Sequence, residues 1–105
     1  MSIIPGVNLV HSFDKAVHKK MALTANTPQS VSEINLNRAW LIVENLSSNN
    51  VTVCLGDKQP TIGEGLVLQG NGSVLELNSS NLFVGKIAVI SDKAAELRIL
   101  ECSFN

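Results

Sequence analysis

Short apolar runs, each closed after about ten residues by a cluster of Asn, Gly, Ser or Asp, follow one another from residue 17 to residue 104. This spacing is the pattern of an antiparallel β-sandwich or a jelly-roll-like barrel. No 11-residue window carries a helical stripe, and Asn, Ser, Thr and Val are too frequent for a chain of helices. With eight or so short strands, a closed or two-layered arrangement is expected, because an open sheet would leave one apolar face in water.

The first strand is expected from Val17 to Ala25, with Val17, Met21, Leu23 and Ala25 on the core parity. Pro28 then breaks the ladder, and Val31 to Leu36 reads as a weaker strand at a sheet edge. The strongest segment is Arg38 to Leu46, whose consecutive Ala39, Trp40, Leu41, Ile42 and Val43 predict a central strand covered on both faces. Arg38 and Glu44 stand at its two ends, from which long side chains reach water. Ser47-Ser48-Asn49-Asn50 followed by alternating Val51, Val53 and Leu55 predicts a hairpin return. A second hairpin is expected where Leu66–Gln69 and Ser73–Leu77 flank Gly70-Asn71-Gly72. Short strands over Leu82–Val84, Lys86–Ser91 and Glu96–Phe104 complete the domain.

Two segments stand out from this pattern. In residues 1–16, Ile3, Ile4, Val7, Leu9 and Val10 are apolar, but Pro5 and Gly6 interrupt any ladder. The chain is therefore divided into an N-terminal arm, 1–16, that packs on a neighbour or adds as an edge strand, and a β-sandwich domain, 17–105. The stretch from Gly56 to Gly65 is too long for a tight turn, and its Asp57, Lys58, Gln59 and Glu64 are candidate recognition residues.

The 105 residues provide one domain's worth of chain, 45% hydrophobic and 16% charged, enough to offset the entropy of ordering. Eight basic and nine acidic residues, a net charge of −1, give no overall field for phosphate backbones or anionic membranes, so neither nucleic acid nor membrane is an expected partner. No apolar stretch approaches a membrane span, and Met1–Val10 lacks the pattern of a secretion signal.

Little in the chain points to catalysis. There are two histidines and no tyrosine, and the nine carboxylates form no close pair. His11 and His18, seven residues apart, would lie about 23 Å apart along a strand and on opposite faces. Gly63-Glu64-Gly65 and Gly70-Asn71-Gly72 open no helix and are read as turns. Cys54 and Cys102 are read as buried small hydrophobes, with a cross-strand bridge as the alternative. The Asn-X-Ser/Thr triplets at Asn45, Asn50, Asn71 and Asn78 are read as turn chemistry. The expectation is a non-enzymatic protein without cofactor or metal.

The run Asn37-Arg38-Ala39-Trp40-Leu41-Ile42-Val43-Glu44-Asn45-Leu46-Ser47-Ser48-Asn49-Asn50-Val51-Thr52-Val53 resembles a recurring segment of small bacteriophage virion proteins, in which Asn-Arg opens an apolar strand that ends in an Asn-rich turn. The likeness continues through Gly56, Gly65-Leu66-Val67-Leu68, Gly70-Asn71-Gly72, Ala88-Val89-Ile90-Ser91 and Glu96-Leu97-Arg98-Ile99-Leu100-Glu101, about two-thirds of the chain. It implies a compact β-sandwich or jelly roll, often trimeric, that decorates a capsid or forms part of a neck, tail or fibre. The expected partner is the major capsid protein or another virion protein, with the arm residues Ile3, Ile4, Val7 and Leu9 as anchors. The protein would be made in the host cytoplasm and end in the virion. A head–tail connector, a tail or fibre component, and a receptor- or glycan-binding tip are the alternatives. A glycan site would need an aromatic platform, and Trp40 is expected deep in the central strand.

Overall fold

The computed structural model describes residues 13–104. They form eight strands, β1 (Lys15–Leu23), β2 (Gln29–Ser32), β3 (Arg38–Asn45), β4 (Val51–Leu55), β5 (Leu66–Leu68), β6 (Val74–Leu77), β7 (Ile87–Ile90) and β8 (Ala95–Ser103). Two four-stranded antiparallel sheets, β1-β8-β3-β6 and β2-β7-β4-β5, pack face to face. The pairings β1:β8, β2:β7, β3:β6 and β4:β5 are those of one long antiparallel ribbon. Wrapping that ribbon brings β3 beside β8 and β4 beside β7, which is jelly-roll winding.

Every strand contributes to the core between the sheets. Leu23, Val31, Leu41, Val43, Val51, Val53, Leu68, Leu77, Ile87, Val89, Ala95, Leu97 and Ile99 form one buried cluster. Their strict alternation along β3 and β8 is the period-2 pattern that assigns one face to the core.

Winding also corrects both expected hairpins. β3 and β4 lie in different sheets, as do β5 and β6, so the turns after Asn45 and Leu68 carry the chain across the sandwich. The local turn chemistry is nonetheless as expected: Asn71 and Gly72 both have positive φ, 67° and 95°. The turn is redirected by contact with its neighbour, since Asn71 N–H donates to Ser47 O at 2.7 Å and Gly72 N–H to Asn45 O at 2.8 Å. Gly70 lies against the Ser48 backbone so closely that a Cβ there would stand 2.4 Å from the Ser48 carbonyl carbon.

The expectation for the central strand is also revised. β3 is central, but only its inner face is fully buried; Trp40, Ile42 and Glu44 are half-exposed on the outer face. The strands buried on both faces are β4 and β7 of the other sheet. There the 56–65 loop folds back over the outer surface, with Gly63 N–H donating to Thr52 Oγ1 at 3.0 Å and Cys54 Sγ donating to Glu64 O at 3.4 Å. β2 is an edge strand as expected but ends at Ser32, leaving 33–37 as a loop, and Leu82–Val84 is not a strand. Val17, on the expected core parity, is 60% exposed because its partner is Glu101, beyond the apolar part of the core.

Candidate interaction surface

Arg38 has a fully buried guanidinium, not one reaching water from a strand end, and all its N–H groups are used. Nε donates to Glu101 Oε2 at 2.8 Å; one terminal nitrogen donates to Phe83 O and Gly85 O, the other to Ser32 Oγ and Glu33 O. The Glu101 carboxylate also accepts from Ser32 Oγ and Asn35 Nδ2. One side chain thus joins β2, the loop before β7, and β8 at one end of the sandwich. Burial by itself pushes the Glu101 carboxyl up, but the hydrogen bonds from Arg38, Asn35 and Ser32 and the Arg38 charge outweigh it and hold the carboxyl below the usual glutamate range. With its polar atoms paired to one another, this cluster acts as a clamp.

At the other end Asn45 has a similar role. Its Nδ2 donates to Asn49 O, Leu68 O and Gln69 O, and its Oδ1 accepts from Ser47 N–H, so one amide holds both sheet-crossing turns. Asn78 Oδ1 likewise accepts from Ser80 N–H, an Asx turn. Cys54 and Cys102 are buried, unpaired thiols on the outer sides of opposite sheets, which rules out a bridge between them. Burial, followed by the Glu101 charge, raises the Cys102 pKa. Among the described residues no group of three His, Cys, Asp or Glu side chains could hold a metal ion.

The arm residues Ile3, Ile4, Val7, Leu9 and Val10, and His11, lie outside the described residues. His18 is exposed on the outer side of β1. Asp57, Lys58, Gln59 and Glu64 are all exposed on the 56–65 loop, with Lys58 and Glu64 in a solvent-facing ion pair at 3.7 Å. Asp57, Lys58 and Gln59 line a groove of about 280 Å³ against β2 and β7, whereas Glu64 stands apart from it. On the far side of the same loop, Ile62, Gly63 and Val67 line a larger groove of about 390 Å³ facing Asn49 and Lys93.

Trp40 is not deep in the core. It lies on the outer face of its sheet beside Phe13, ring centroids 6.4 Å apart, and Phe13 meets Phe104 edge-on at the same separation. The indole N–H donates to Glu76 Oε2 at 2.7 Å.

Patterning does not single out the two most exposed large hydrophobics, Leu36 at 76% and Ile34 at 67%. Val31-Ser-Glu-Ile34-Asn-Leu36 alternates as a strand does, so nothing local marks 33–37 as a loop that turns its apolar residues outward. No family model, curated protein or solved structure matches the chain, so the geometry of its surfaces carries the functional reading.

Proposed function

We propose that the protein is a non-enzymatic structural module of a bacteriophage virion, a capsid decoration protein that binds and stabilises a shell of major capsid subunits. The observation that carries this reading is a pair of large aliphatic side chains, Ile34 and Leu36, held in solvent at one end of a small two-sheet domain whose buried polar groups are turned to its own cohesion. Exposed apolar anchors on a rigid frame suit attachment to another protein surface. Jelly-roll winding adds an analogy, since viral shell proteins use it, although lectins and cupins do as well. The resemblance of residues 37–53 to phage virion proteins points the same way. On this reading Ile3, Ile4, Val7, Leu9 and Val10 anchor the arm to a shell subunit, and a symmetric oligomer, a trimer by that resemblance, multiplies weak contacts.

The test is co-sedimentation of the purified chain with shells lacking it, compared with a chain from which residues 1–12 are deleted. The full chain is expected to pellet at a fixed stoichiometry and to raise the shell's melting temperature, and the deleted chain to remain folded but in the supernatant. Equal attachment of both would remove the arm from the mechanism, and attachment of neither would overturn the decoration reading.

A receptor- or glycan-binding tip is the second reading, favoured by Trp40 on an outer sheet face next to Phe13, Phe104 and the Glu76 carboxylate. Aromatic faces of this kind stack on sugars. Reproducible, competable binding to a glycan array that Trp40→Ala abolishes would favour it over decoration.

A further inference from the structure

Asn71 is the only asparagine of the chain that is followed by glycine. That pairing carries its own chemistry, because glycine has no Cβ to shield its nitrogen from the neighbouring side-chain amide. The Gly72 nitrogen attacks Asn71 Cγ: the N–Cγ bond forms, the Cγ–Nδ2 bond breaks, and ammonia leaves with the proton from Gly72. Water then opens the resulting cyclic imide. Cleavage at Cγ leaves aspartate, and cleavage at the main-chain carbonyl leaves isoaspartate, whose backbone runs through Cβ and Cγ and is one atom longer.

The fold places both residues at an exposed tip but holds the reacting nitrogen. Gly72 N–H donates to Asn45 O at 2.8 Å, and Asn71 N–H donates to Ser47 O at 2.7 Å. Asn45 grips the turn on both sides: its N–H donates to Ser73 O at 2.9 Å, and its Nδ2 donates to Leu68 O and Gln69 O. While these bonds last, the Gly72 proton is shared with a carbonyl oxygen. That oxygen opposes the negative charge that the nitrogen gains as it gives the proton up. The backbone flanking the reacting atoms is fixed at the same time, with φ of 67° at Asn71 and 95° at Gly72.

We propose that Asn71-Gly72 is a self-modification site latched by the β3–β4 turn: Asn71 gives aspartate and isoaspartate only when residues 70–72 detach from Asn45 and Ser47. The rate in the folded protein is then the rate of the unfolded chain multiplied by the fraction of time the turn is open. The step is one-way. An isoaspartate at position 71 puts an extra backbone atom between two N–H groups that must reach Ser47 O and Asn45 O together, so the modified turn does not re-seat. The site therefore keeps a permanent record of openings at this end of the sandwich, whether or not the chain belongs to a virion.

The test is to incubate the full chain in mildly alkaline buffer, folded or in guanidinium chloride, and to follow the Asn71 peptide by mass spectrometry after digestion in acid. Its aspartyl and isoaspartyl forms are separated by chromatography. Two hydrogen bonds of ordinary net strength predict that the folded chain reacts about tenfold more slowly, or slower still. Exchange of the Gly72 amide hydrogen in the wild-type chain should be slowed by the same factor, since one opening releases both. Asn45→Ala, which loses the donor to Leu68 O and Gln69 O, should raise the folded rate several-fold and leave the denatured rate unchanged. Arg38→Met, which loosens the opposite end, should leave the folded rate unchanged. Equal rates in the folded and denatured wild-type chain would overturn the proposal. An equal rise in both variants would overturn it as well, because it assigns the reaction to global unfolding. The isolated isoaspartyl form should unfold at a lower denaturant concentration than wild type, whereas Asn71→Asp should not; a wild-type midpoint for the isoaspartyl form would overturn the latch.

Discussion

Arg38 and Glu101 form an ion pair 2.8 Å long inside the sandwich, with the guanidinium fully buried and the carboxylate 20% exposed. The pair lies at the end of the core where the apolar alternation of β8 stops, and it replaces apolar packing with hydrogen bonds to three separate segments. A buried pair is not by itself a source of stability relative to a well-packed apolar core, but removing one member leaves the other without compensation.

Arg38→Met should therefore lower unfolding free energy by roughly 3–5 kcal/mol. The lost donors leave Glu101, Phe83 O and Gly85 O short of partners. Urea unfolding followed by Trp40 fluorescence measures this, and a loss below about 1 kcal/mol would mean that water replaces the guanidinium without cost.

Glu101 also sets an acid limit. Its carboxyl is held below the usual range in the folded state, so its contribution is complete above the unfolded-state value of about 4.3 and is lost as the pH falls through the lower folded value. The urea midpoint should decline from about pH 4.3 downward. Glu101→Gln should be less stable at neutral pH and show a shallower acid decline.

Asn45→Ala should destabilise by about 1–3 kcal/mol, because three backbone carbonyls on two turns lose their donor together. Asn45→Asp removes the same donor while keeping the acceptor for Ser47. If the three carbonyls dominate, the aspartate variant should be no more stable than the alanine one in thermal unfolding.

Gly70→Ala should cost about 1–3 kcal/mol through overlap with backbone atoms that cannot rotate away. Gly56→Ala instead meets open space, and its penalty comes from a φ of 110°. A crystal structure of Gly70→Ala is expected to show the Ser48 turn displaced; at Gly56→Ala the Ser48 turn should stay in place.

Both thiols should resist modification in the folded protein. Cys54 and Cys102 are 8% and 2% exposed, and burial raises the Cys102 pKa, which lowers its thiolate fraction. Reaction with a thiol reagent at neutral pH should be slow and become complete in denaturant, as read by mass spectrometry.

Local sequence determined the approximate limits and the alternation of most strands, because a period of two and a turn cluster act within ten residues, but it also offered Leu82–Val84 and residues 33–36 as strand, which the structure leaves as loop. Ala39–Val43, Val51–Leu55 and Glu96–Phe104 are legible on this basis, and so is the left-handed Asn71-Gly72 turn. Sheet membership depends on which strands lie side by side after winding, and a turn such as Ser47–Asn50 has the same residues whether it returns the chain to its neighbour or carries it to the opposite sheet. The outward faces were decided the same way: the 56–65 loop covers Thr52 and Cys54, while Trp40 on β3 keeps a half-exposed outer face. The partnership of Arg38 with Glu101, 63 residues away, and the outward turn of Ile34 and Leu36 both arise from long-range hydrogen bonding, for which adjacent residues carry no signal.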